Sequence, residues 1–158
     1  MPLDELDEDI LKVLEQDARI SYRKISEDLK ISVGTVHNRI AKLKNQGIIK
    51  GYLLDLSEEE LDYNLKVIIS LTIKGTEIGG ILEELKKNSH VTNIYSVSGN
   101  SSAIIICRFK NMNDYRDFNN VLNTRDAIRH METNIVLDVF KEDLHHLLSS
   151  PENQEKEE

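Results

Sequence analysis

The sequence predicts an α+β chain in two parts, and three observations carry that expectation. Apolar residues recur every three to four positions through the first fifty residues, the spacing of short amphipathic helices. From Leu65 onward the pattern switches to alternation, interrupted by two further helical stretches. Between the two parts lies the acidic, polar run SEEELD (57–62), which reads as a linker.

The first helix is expected from about Glu8 to Gln16, with Ile10, Val13 and Leu14 inward. Asp7 is the expected N-cap, and Leu6 and Leu11 flank it as a hydrophobic staple would. A second helix follows over Tyr22–Leu29, with Ser21 as cap and Ile25 and Leu29 inward. The third runs over Val33–Asn45 behind Ser32, with Val36, Ile40 and Leu43 as its inward stripe and Gly47 as its stop. Only Lys30, Ile31 and Ser32 separate helices two and three, which is helix-turn-helix spacing. The run Ile48–Leu54 is β-prone and can begin a wing or a linking strand.

In the second part the expected order is strand (Lys66–Lys74), helix (Glu77–Asn88), strand (Val91–Val97), strand (Ala103–Lys110), helix (Asp114–Thr124), strand (Thr133–Phe140). That is the ferredoxin-like βαββαβ order. A further helical turn is expected at Asp143–Leu148, and a disordered tail after it. The expected organisation is therefore a winged helix-turn-helix at 1–52, a linker or hinge strand at 53–64, the ferredoxin-like domain at 65–148 and an acidic tail at 149–158. Both parities of the strands carry apolar residues. Ile68, Ile94, Ile104, Ile106, Val136 and Phe140 exceed what one helix-covered face needs, which points to a second packed surface and hence a dimer or larger assembly.

Bulk properties narrow the class. No apolar run approaches the ~18 residues that suggest a membrane span, and the acidic start lacks a signal peptide's layout. The single cysteine, Cys107, sits in an apolar run where it is expected to be inert, and a cytoplasmic location is the simplest reading. No P-loop, GxGxxG, HExxH or GxSxG motif is present, so no catalytic residues are assigned and no enzyme is expected. His145 and His146 are adjacent and would not face the same way on a helix, so no metal site or cofactor is expected.

The net charge of −8 looks unfavourable for binding DNA, but its distribution matters more than its sum. Residues 1–52 are neutral overall, and from Leu29 to Leu54 there is no acid at all. That stretch holds Lys30, Arg39, Lys42, Lys44 and Lys50. A phosphate responds to the field within roughly 8–10 Å, so a basic segment on an acidic body can hold DNA.

The third helix carries the candidate chemistry. Opposite its apolar stripe lie Gly34, Asn38, Ala41 and Asn45, flanked by Thr35, His37 and Lys42. Small residues followed by amide and cationic groups suit insertion in a major groove. Gly34 permits close approach, Thr35 can touch a phosphate or a thymine methyl, and Asn38 can pair with adenine through two hydrogen bonds. His37 can reach a base or a phosphate. Lys42, Lys44 and Lys50 suit the backbone, and Ser32 caps the helix where it would meet the DNA. Arg39, nearer the buried stripe, suits a phosphate or an internal carboxylate equally.

The segment LDEDILKVLEQDARISYRKISEDLKISVGTVHNRIAKLKNQGIIKGY resembles the DNA-binding domain of the Lrp/AsnC regulators, with D-x-x-I-L-x-x-L, A-R-I-S, T-V-x-x-R-I-x-x-L and G-I-I-K-G-Y in family order. The resemblance extends to about residue 142. It implies a transcriptional regulator that binds double-stranded DNA as a homodimer paired through its C-terminal sheets, often assembled into tetramers or octamers, with an amino acid or related small effector between dimers. Relatives carry Gly-Asp-x-Asp in the turn after the domain's second strand. Here the turn is Gly99-Asn100-Ser101-Ser102, without either acid. These four residues and Thr133 are the candidate effector positions. A missing carboxylate removes a charge-assisted contact to an ammonium, so a different ligand or none is equally open. A family member without an effector, acting as a DNA-architectural protein or assembly partner, is the alternative. The resemblance also marks Lys30 as standing where relatives often have a turn glycine, which would place lysine in a left-handed conformation at a cost of about 1 kcal/mol.

Overall fold

A computed structural model describes residues 3–142, so the expected turn at 143–148 and the tail at 149–158 lie outside the described residues. Two compact units emerge, one holding the three N-terminal helices and running to Leu54, the other spanning Asp55–Phe140.

In the first unit α1 spans Glu5–Gln16, α2 Tyr22–Asp28 and α3 Val33–Asn45. The expected start of α1 is corrected. Asp4, not Asp7, is the N-cap, and Asp7 sits three residues in, completing a reciprocal capping box in which each carboxylate accepts from the other's amide. Helices α2 and α3 begin as expected, with Ser21 Oγ accepting from the Lys24 amide and Ser32 Oγ from the Thr35 amide. Ile10, Leu14, Ile25, Val36 and Ile40 form the core, with Leu29, Ile31 and Ile49 packed against it. In the tight turn Lys30 adopts φ 54°, the left-handed conformation expected of it. Gly47, at φ 71°, ends α3, and the amides of Ile48 and Ile49 donate to the Leu43 carbonyl.

The β-prone run after α3 forms no strand among the described residues. A strand needs a hydrogen-bonding neighbour, and Ile48 and Ile49 are consumed in closing the helix end. Tyr52, Leu53, Leu54 and Leu56 are left exposed.

The second unit follows the βαββαβ order: β1 Leu65–Ile73, α4 Ile78–Leu85, β2 Val91–Ser96, β3 Ala103–Phe109, α5 Met112–Asn123 and β4 Ile128–Ile135. The sheet is antiparallel throughout, in the order β2-β3-β1-β4. Val67, Ile69, Leu71 and Ile73 alternate inward and meet Cys107, Ile105 and Ala103 across the ladder, under Leu85 of α4 and Phe118 and Leu122 of α5. Burial pushes the Cys107 thiol up to about 12, so it stays protonated and unreactive near neutral pH.

Two expectations for the sheet are corrected. The last strand begins five residues earlier than expected. Its ladder runs from Ile128 opposite Ile73 to Ile135 opposite Val67, and closes where the Val136 amide donates to the Lys66 carbonyl at 2.9 Å. Beyond Leu65 β1 offers no further partner, so the apolar run that suggested a strand is left open, with Leu137 89% and Phe140 98% exposed. Ile94 belongs to the helix-covered face, opposite Ile105, rather than to the open one. An irregularity between Val91 and Asn93 shifts the parity of β2, which strict alternation cannot anticipate. Ile68 and Ile106 do face each other on the open side, beside Ile104 and Tyr95.

Candidate nucleic-acid interface and effector turn

The sequence of α3 divides its faces cleanly. Val36, Ile40 and Leu43 are buried, while Ser32, Gly34, His37, Asn38, Lys44 and Lys50 are exposed and Thr35 is half-buried. At the N-terminal end the Ser32 and Thr35 hydroxyls lie 2.8 Å apart, so the cap and the first candidate contact are fixed together. Gly34 is not required by its own fold. A Cβ there would meet only Ser32 Oγ at 3.7 Å, an ordinary contact, and its backbone is not left-handed. The fold therefore leaves this exposed position free to carry a side chain or none. His37 packs edge-on against Tyr22 of α2, with centroids 6.0 Å apart. Lys44 lies 4.9 Å over the ring of Tyr52, a cation–π contact that leaves its charge at the surface.

Arg39 and Lys42 are placed differently from the other cations. Both turn toward α1. Lys42 Nζ donates to Asp7 Oδ2 at 2.7 Å, and Arg39 donates to Asp7 Oδ1 at 3.1 Å and to Asp4. Asp7 is fully buried, whereas the two cationic side chains remain about a third exposed. Burial pushes the Asp7 carboxyl up, but the hydrogen bonds from Lys42, Arg39 and the Asp4 amide outweigh it and hold the carboxyl below its ordinary value. The Arg39 hydrogen bond lowers Asp4 in the same way. Of the five cations in the acid-free stretch, Lys30, Lys44 and Lys50 make no ion pair among the described residues.

An internal carboxylate was one of the two partners the sequence left open for Arg39; that it is Asp7, and that Lys42 turns to the same group rather than outward, was missed, yet a signal existed. Asp7, Ile10 and Leu14 fall on one helical stripe, so the stripe that builds the core carries a carboxylate that must find a partner inside. Tyr22 beneath His37 and Tyr52 beneath Lys44 had no comparable signal, since each depends on tertiary packing.

The turn between β2 and β3 spends much of its polar capacity on the fold. Gly99 takes φ 109°, and the Asn100 carbonyl accepts from Thr72 Oγ1 at 3.0 Å. Ser102 Oγ accepts from the Ile73 amide at 3.0 Å, and its own amide donates to the Leu71 carbonyl. Ser101 is half-buried. Thr133 is not brought to this turn within one chain. It stands on β4 opposite Ile69, four residues along β1 from Ile73, or roughly 13 Å.

Residues 3–50 match the family described as winged helix-turn-helix DNA-binding, and residues 66–145 match the Lrp/AsnC ligand binding domain. The chain belongs to the Lrp/AsnC family. It is similar to an uncharacterized HTH-type transcriptional regulator of Pyrococcus abyssi, 39% identical over 141 residues, which cover 89% of this chain and 96% of the relative. The solved structure of Escherichia coli AsnC superposes with a TM-score of 0.85 at 29% identity, covering 91% of this chain and 98% of that one. A transcriptional regulator of Neisseria meningitidis, solved in complex with L-methionine, shares the fold with a TM-score of 0.84 at 23% identity, covering 89% and 94%. This Lrp/AsnC member is thus a transcriptional regulator with a helix-turn-helix DNA-binding domain and a ligand-binding domain. No helix among the described residues is long and apolar enough to cross a membrane.

Proposed function

We propose that α3 is the recognition helix of a sequence-specific regulator, inserted in the major groove with Gly34, Thr35, His37 and Asn38 toward the bases. The observation that carries this reading is the exposed, acid-free surface of α3, small and polar at its N-terminal end and cationic at its other. Lys30, Lys44 and Lys50 hold phosphates, while Lys42 and Arg39, committed to Asp7, set the height and tilt of the helix. The acidic remainder of the chain weakens non-specific association and favours one docking orientation.

Two copies act together, paired through the open sheet face. Ile68, Ile104 and Ile106 with exposed Tyr95 make an apolar surface larger than a lone sheet needs. Such dimers would assemble further into tetramers or octamers and work in the cytoplasm. A small-molecule effector, an amino acid or related metabolite, tunes the C-terminal domain. A second reading, a DNA-architectural protein without an effector, is favoured by one observation: the Gly99–Ser102 turn lacks acids and turns its hydrogen bonds inward.

Titration of the full chain against labelled genomic DNA fragments at two salt concentrations tests the reading. The expected outcome is a steep fall of log K with log salt. Salt-insensitive or absent binding would overturn it.

A further inference from the structure

Between α4 and α5, the C-terminal unit leaves a cleft of about 320 Å³, within the size range of small-ligand pockets. Its floor is apolar, made by Ile81 and Leu85 of α4 and by Phe118, Val121 and Leu122 of α5. Phe118 is one aromatic wall, with the His90 ring edge-on to it at 6.4 Å. The rim is charged and uneven. At one end Glu84 and Arg125 pair with each other and join the two helices. At the other stand Asp114 and Asp117, and no Lys or Arg pairs with either among the described residues.

The two aspartates differ in what explains them. Asp114 is the third residue of α5, where a carboxylate is favoured by the helix N-terminus, and it accepts from Asn111 Nδ2 at 3.0 Å. Asp117 lies beyond that first turn and has no such role, yet it faces the cleft. With Glu84 neutralised by Arg125, the rim carries an uncompensated negative charge above an aromatic and aliphatic floor. Carboxylates at the mouth of an apolar cleft recognise organic cations, which gain a charge-assisted hydrogen bond at the head and burial of the stem. An anion is repelled there. Among the described residues no group of three His, Cys, Asp or Glu side chains is placed to hold a metal ion.

We propose that this cleft binds a small organic ammonium with an apolar stem, the ammonium held by Asp117 and Asp114 and the stem laid over Leu85, Phe118 and Leu122. The inference rests on the reading of the C-terminal domain as a sensor, and it moves the ligand away from the Gly99–Ser102 turn to a site complete within one chain.

Calorimetry of the full chain with n-hexylammonium chloride, and with n-hexanol as its uncharged counterpart, decides the matter. The expected result is saturable binding of the ammonium, at least about tenfold tighter than the alcohol, weakened about tenfold by Asp117→Asn and unchanged by Ser102→Ala. No saturable binding of the ammonium, equal binding of the alcohol, or full retention in Asp117→Asn would overturn it. Salt-dependent DNA binding, measured on the same samples without the probe, tests the regulator reading separately. A failed probe titration with intact DNA binding therefore counts against the cleft alone.

Discussion

Lys42 Nζ lies 2.7 Å from Asp7 Oδ2, and Asp7 is fully buried beneath α3. A carboxylate inside a three-helix core is expensive unless it is paired, and here two cations from the next face of α3 pair it. Asp7→Ala is expected to destabilise the N-terminal unit by about 1–3 kcal/mol, less than a fully buried pair would lose because Arg39 and Lys42 can turn to water. Thermal unfolding checks this, and an unchanged midpoint would remove the clamp from the account.

Acid sensitivity follows from the same cluster. Asp4 and Asp7 titrate below their ordinary value when folded and at about that value, near pH 4, when unfolded. As pH falls, the unfolded chain takes up protons first, so the stabilisation is present above about pH 4 and is lost as pH drops through the folded values. Denaturant unfolding at a series of pH values should show this loss, and Asp7→Asn should flatten it.

Gly34 separates folding from binding. Alanine fits the space and favours helix by up to about 1 kcal/mol, so Gly34→Ala should leave stability unchanged or raised. If the helix approaches DNA closely at this position, the same change weakens DNA binding. Paired measurements of melting temperature and DNA affinity check it, and unimpaired affinity would place Gly34 away from the groove.

The open face of the sheet gives a third handle. Ile106→Glu puts a charge opposite Ile68, where the side chain is only half-buried in the monomer. Sedimentation velocity should show the variant as monomers with an intact fold, against dimers or larger species for the parent chain.

The fold was legible in the sequence wherever one periodicity sufficed. Helix-turn-helix spacing, the Val36/Ile40/Leu43 stripe and the alternation of Val67, Ile69, Leu71 and Ile73 stand as the pattern implies. Ser21 and Ser32 cap the helices they precede. What was not legible depended on neighbours. The apolar run at 136–140 draws the eye as a strand, but the length of β1 decides where β4 ends. Parity in β2 is broken by an irregularity that no spacing reveals. On the exposed face of α3, the polar and small residues were readable, whereas the choice of Lys42 and Arg39 for an internal carboxylate required α1 to be packed against α3. The cleft between α4 and α5 draws residues from both helices, so it exists only after folding.

Binding-site selection from random DNA, run on the parent chain and on Asn38→Ala, tests the central claim most directly. An exposed amide reading a base edge predicts that the variant keeps its overall affinity for backbone but changes base preference at the same position in each half-site. An unchanged motif bound uniformly more weakly would contradict α3 as the reader of sequence.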